Sequence, residues 1–86
     1  MIEVPEISDL RELYRTWGRR IRQARLAAGL DQAELARRLG VGQQLISRWE
    51  CGYFAPRDHL RPVVASELGC AVEDLFTYEP VDKAAA

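Results

Sequence analysis

Along the first third of the chain the apolar residues Leu10, Leu13, Tyr14, Trp17, Ile21, Ala24 and Ala28 recur at steps of three and four. That spacing gathers side chains on one stripe of an α-helix. Arginines 11, 15, 19, 22 and 25 fall largely off the stripe, so the pattern predicts an amphipathic helix of about 20 residues starting near Ser8. Gly18 sits inside it and marks a place where it could be interrupted, because glycine is about 1 kcal/mol worse than alanine in a helix interior. Gly29 supplies the stop: without a Cβ it takes the left-handed C-cap conformation, and Leu30 then folds back toward the core.

Asp31 can cap a second, short helix, with Glu34 three residues later completing an approximate capping box. Ala33, Leu35, Ala36 and Leu39 provide its inner surface, Arg37 and Arg38 suit its C-terminal dipole, and Gly40 ends it. A third helix runs from Gln43 to Cys51, with Ile46 and Trp49 as inward anchors and Gly52 as its stop. Only about three residues separate the second and third helices, the spacing of a helix-turn-helix. A fourth helix lies within residues 57–68 on the stripe Leu60, Val64 and Leu68. Pro62 is tolerated only in a first turn, so this helix either starts near Arg61 or begins with a distorted turn. Gly69 ends it, a fifth helix spans Val72 to Phe76, and the tail from Pro80 to Ala86 has little to bury.

Composition narrows the class. Eighty-six residues, 48% hydrophobic and 29% charged, with two cysteines, describe one small folded domain rather than a disordered segment, a disulfide scaffold or a membrane span. A formal net charge of -1 argues on its face against a polyanion partner, but the charge is segregated. Residues 1–14 carry -3 and residues 67–86 carry -4, whereas residues 15–61 hold ten arginines against Asp31, Glu34, Glu50 and Asp58, for +6. The centre is a candidate polyanion footprint, because the local field matters more than the sum. The acidic opening lacks a basic segment followed by an apolar stretch, which points to the cytoplasm. Cys51 and Cys70, with His59 as the sole histidine, assemble neither a C-x-x-C pair nor a four-ligand zinc spacing. The expectation is two unlinked thiols, no metal, no cofactor and no catalytic constellation.

The run from Gly40 through Val41, Gly42, Gln43, Gln44, Leu45, Ile46, Ser47, Arg48, Trp49, Glu50 and Cys51 to Gly52 resembles the Xre/Cro-like helix-turn-helix family of bacterial and phage DNA-binding regulators. The resemblance begins at Ile21-Arg22-Gln23-Ala24-Arg25, continues through Gly29-Leu30-Asp31-Gln32-Ala33-Glu34-Leu35-Ala36, and extends past Pro56 to Ala65-Ser66-Glu67-Leu68-Gly69, covering about residues 16 to 76. It implies an all-α, compact five-helix, lambda-repressor-like DNA-binding domain at residues 16–77, with an acidic, helical N-terminal extension at 1–15 and a C-terminal tail at 78–86.

The residues themselves support a reading helix. A nine-residue helix fits the major groove, and its outward side chains must both donate and accept if they are to distinguish base pairs. Gln43 and Gln44 can pair bidentately with adenine, Ser47 is a step further on, and Arg48 lies four residues from Gln44, where it can pair with guanine or grip phosphate. The resemblance implies further that Gln32 contacts backbone phosphate, that Gln43, Gln44 and Arg48 read bases, and that Arg25 and Glu50 form a partly buried ion pair. Arg19, Arg20, Arg22, Arg37 and Arg38 are candidates for phosphate, with Arg19, Arg22 and Arg38 foremost. Tyr53 and Phe54 depart from the basic or polar residues usual after Gly52; core packing, a partner surface and DNA contact are all open to them. Leu45 either touches a thymine methyl or packs at the margin.

The expected function is that of a sequence-specific double-stranded DNA-binding regulator, a repressor in a bacterial cytoplasm or nucleoid, binding its operator as a homodimer or with a small partner protein. The alternative is a protein-interaction module such as the antitoxin of a toxin-antitoxin pair. Candidate dimer surfaces are the stripe from Leu10 to Trp17 and the group Val72, Leu75, Phe76, Tyr78 and Val81.

Overall fold

The computed structural model describes residues 7–77, with side chains from Leu10 onward. The chain folds into helices α1 (Ile7–Ala27), α2 (Gln32–Leu39) and α3 (Gln43–Cys51), a 3-10 turn (Asp58–Leu60), then α4 (Arg61–Glu67) and α5 (Val72–Phe76). These described residues form an all-α, five-helix domain of the lambda-repressor-like type, as expected.

Helix α1 runs without a break through Gly18. The glycine is there for contact rather than for a hinge. A Cβ at Gly18 would collide with the carbonyl oxygen of Trp49 and come within 2.8 Å of that of Glu50, so only glycine lets the C-terminal end of α3 lie directly on α1. Gly52 completes the crossing: its φ is +85°, and a Cβ there would meet Arg15 Cγ at 2.7 Å.

Asp31 caps α2 through Oδ1, which accepts the Glu34 backbone N–H at 2.7 Å. The reciprocal half of the expected capping box is absent, because the Glu34 carboxylate turns instead to Arg37 and Arg38. Ala33 and Ala28, placed on inner surfaces by periodicity, are exposed; the inner face of α2 is built by Leu35 and Ala36, with Leu39 partly buried beside them. Pro62 occupies the first turn of α4, and the 3-10 turn ahead of it absorbs the distortion.

The core joins Trp17, Ile21, Leu35, Ala36, Ile46, Trp49, Val64, Ala65, Leu68, Leu75 and Phe76. Each fully buried large side chain contributes about 1.5–3 kcal/mol of hydrophobic stabilisation. Trp17 stands at the junction of α1, α4 and α5. Its ring meets Phe76 edge-on with centroids 5.4 Å apart, its Nε1–H donates to the Thr77 carbonyl at 3.1 Å, and the Arg61 guanidinium lies 4.7 Å above it. Arg61 is held in turn by the Pro56 carbonyl and by Asp58. Trp17, Leu75 and Phe76 are therefore core residues and leave the set of candidate dimer surfaces; Tyr78 and Val81 lie outside the described residues.

Candidate nucleic-acid interface

Ile46 and Trp49 are buried, and this fixes the rotation of α3 about its axis. Gln43, Gln44 and Arg48 are exposed as a consequence, with Ser47 half-buried between them. Gln44 and Arg48, four residues apart, share one face. Leu45 packs against the margin of the core. Gly42 caps α3 without a side-chain hydrogen bond, so no side chain covers the first turn at which Gln43 and Gln44 stand.

Behind this face a chain of hydrogen bonds runs into the protein. The Arg25 and Glu50 side chains are only 8% and 4% exposed, and they meet in a two-pronged pair: Arg25 Nε donates to Glu50 Oε2 at 2.6 Å and NH2 donates to Oε1 at 3.0 Å. Arg25 NH1 also donates to the Leu30 carbonyl at 2.9 Å, tying the α1–α2 turn to α3. The hydrogen bond to Glu50 holds the Arg25 pKa above its ordinary value against the opposing effect of burial. Burying a charge is tolerable only when it is paired and its donors are used, and here three guanidinium donors are.

Glu50 also accepts from Gln32, whose Nε2 lies 3.0 Å from Oε1. A carboxylate is acceptor-only, so Gln32 must turn its NH2 group inward and its Oε1 outward. That outward oxygen takes a long hydrogen bond, 3.5 Å, from Gln43 Nε2. Gln43 is left with its own Oε1 and one N–H unspent, one acceptor and one donor on an amide whose orientation is set from the core. The sequence signals each of these residues separately; the Gln32–Glu50 link escaped because it joins the start of one helix to the end of another.

The arginines divide into two groups. Arg37 and Arg38 both pair with Glu34, Arg38 Nε at 3.0 Å, and Arg38 NH1 lies 3.9 Å from Glu67. Hydrogen bonds from Arg37 first, then Arg38, hold the Glu34 carboxyl below its usual pKa. Arg19, Arg22 and Arg48 are exposed and have no carboxylate partner within 4.0 Å among the described residues. Tyr53 and Phe54 are also exposed, 72% and 51%, which removes core packing from the three roles open to them.

Residues 21–75, from the middle of α1 through most of α5, match the model of the Helix-turn-helix family. The chain belongs to this family. It is 35% identical over 60 residues to an uncharacterized HTH-type transcriptional regulator of Archaeoglobus fulgidus, covering 70% of this chain and 86% of that one. It is likewise 35% identical over 60 residues to one from Methanocaldococcus jannaschii, covering 70% and 91%. Among solved structures it is similar to the hypothetical transcription factor NHTF from Neisseria, with a TM-score of 0.69 and 28% identity over 93% of this chain and 87% of that one. The helix-turn-helix chain is thus a regulator-type domain of a family capable of DNA binding, and not an enzyme. Among the described residues no three His, Cys, Asp or Glu side chains gather as a metal site, and no helix is long and apolar enough to cross a membrane.

Proposed function

We propose that the chain is a sequence-specific double-stranded DNA-binding regulator that inserts α3 into the major groove and represses by occupying its operator. The observation that carries this reading is the polar face of Gln43, Gln44 and Arg48, all exposed, with the Gln43 amide oriented through Gln32 and the buried Arg25–Glu50 pair. An amide with one donor and one acceptor free matches the N6 and N7 edge of adenine, and an exposed guanidinium matches O6 and N7 of guanine. Ser47, between them, reaches a base or sugar edge. Gln32, whose amide also serves Gln43, stands at the start of α2 beside backbone phosphate. Arg19, Arg22 and Arg38 supply further phosphate contacts, with Arg38 having to exchange Glu34 for the phosphate. One such module buries only about 600–1,000 Å² on DNA, so a palindrome is read by two copies.

Three to five phosphate contacts per subunit give a log-log dependence of affinity on salt with a slope of about -3 to -5. Selection of sites from a random duplex pool, followed by titration of the selected duplex from low to physiological salt, measures both properties. A slope near zero, or a pool that yields no preferred sequence, contradicts the proposal. A single asymmetric site would contradict the symmetric pair.

A further inference from the structure

The C-terminal end of α3 carries a second surface that the proposed DNA contact does not use. Leu10, Arg11, Tyr14 and Arg15 on α1 and Cys51, Gly52 and Tyr53 after α3 line an open groove of about 310 Å³. Phe54, exposed like Tyr53, extends this apolar surface. Aromatic and arginine side chains together are the composition of an interface centre, and a small monomer rarely leaves adjacent large aromatics in water without a partner for them.

We infer that this groove is where a second copy of the chain docks, on a two-fold axis passing beside Tyr53. Two features favour a copy over a different partner. A two-fold contact must be complementary to itself, and this stretch of α1 offers both signs, with exposed Glu12 between Arg11 and Arg15; Glu12 of each copy can meet an arginine of the other. The second feature is distance, and it rests on the DNA-binding reading. At about 1.5 Å per residue, Tyr53 lies about 9 Å beyond the midpoint of α3 at Ser47. Half-sites one turn apart require α3 midpoints about 34 Å apart, so the axis lies about 17 Å from each. The remaining gap of about 8 Å per copy is the width of an aromatic side-chain layer. A groove this small buries less than the roughly 1,600 Å² of a standard interface. The pair is therefore weak in free solution and becomes firm when both copies sit on one duplex, where the second binding event is effectively intramolecular.

Cys51 provides a test that needs no DNA. It lines the groove and is exposed, so a two-fold contact brings the two Cys51 thiols together. In a Cys70→Ser protein, a bis-maleimide is expected to give covalent dimer through Cys51, with a yield that saturates as protein concentration rises. Replacing the two exposed aromatics (Tyr53→Ser with Phe54→Ser) is expected to lower that yield about tenfold or more, as removal of central anchors does. Sedimentation of the wild-type chain against the doubly substituted one, with both native cysteines in place, reads the same equilibrium independently of Cys70. Unchanged crosslinking in the doubly substituted protein, or a sedimentation coefficient that does not depend on concentration up to the millimolar range, overturns the inference. On a two-half-site duplex the substituted protein is expected to lose cooperativity while keeping its affinity for a single half-site. A parallel loss at the single half-site makes Tyr53 and Phe54 DNA contacts and also overturns it. Saturating Cys51 crosslinking in a chain that prefers no duplex sequence would support the docking surface while sinking the DNA-binding reading.

Discussion

The two ends of α3 are built from opposite materials. At its N-terminal end the exposed Gln43 is connected, through Gln32, to a buried ion pair between α1 and α3. At its C-terminal end the backbone rests on Gly18 of α1, and beyond it Tyr53 and Phe54 project into solvent. Polar groups that enter a core must be satisfied and so become oriented, whereas an apolar side chain in solvent is held by nothing until a partner covers it. The polar end thus has the fixed geometry suited to base recognition, and the apolar end has the adaptable surface suited to association.

The largest expected effect breaks the polar end. Glu50→Ala leaves Arg25 buried without its carboxylate and is expected to cost about 3–5 kcal/mol, much of the stability of a domain this small; chemical denaturation measures it. The apolar double replacement Arg25→Met with Glu50→Leu is expected to recover most of that loss, yet it leaves Gln32 with no carboxylate to orient it. Stability should return without base discrimination if the relay positions Gln43.

At the other end, Gly18→Ala drives a Cβ into the Trp49 and Glu50 carbonyl oxygens. The gain in helix propensity, about 1 kcal/mol, is smaller than the cost of separating α1 from α3, and a net loss of about 1–3 kcal/mol is expected in the same assay. A stabilised Gly18→Ala protein would mean that the crossing is loose and that Gly18 marks only a tolerated position.

The smallest effect is acid-linked. Glu34 has its pKa lowered in the folded chain, so its pairing with Arg37 and Arg38 stabilises the fold fully above the ordinary carboxyl pKa and is lost as pH falls through the lowered, folded-state value. Glu34→Gln should flatten the acid limb of a stability-against-pH curve slightly while leaving the neutral plateau nearly unchanged, because the pair is exposed and screened.

Periodicity in the sequence was enough to place the helices, since Trp17, Ile21, Leu35, Ile46, Trp49, Val64 and Leu75 are all buried where the apolar stripes put them. It could not distinguish a glycine that breaks a helix from one that admits a neighbour, because the carbonyl groups facing Gly18 belong to residues more than thirty positions away. The Arg25–Glu50 pair was legible only through family resemblance, and Gln32 gave no sign of its second partner. Tyr53 and Phe54 were ambiguous for a physical reason: aromatics are equally at home in a core and at an interface, and only their exposure separates the two.

The most direct test of the reading role of α3 compares the selected duplex with each of its single-base-pair variants, for the wild-type chain and for Gln44→Ala and Arg48→Ala. Each replacement is expected to erase about 1–3 kcal/mol of discrimination at one or two base pairs and leave the other positions as they were. Uniform weakening at every sequence, with a salt slope reduced by about one, would assign that side chain to phosphate and contradict base reading by this face.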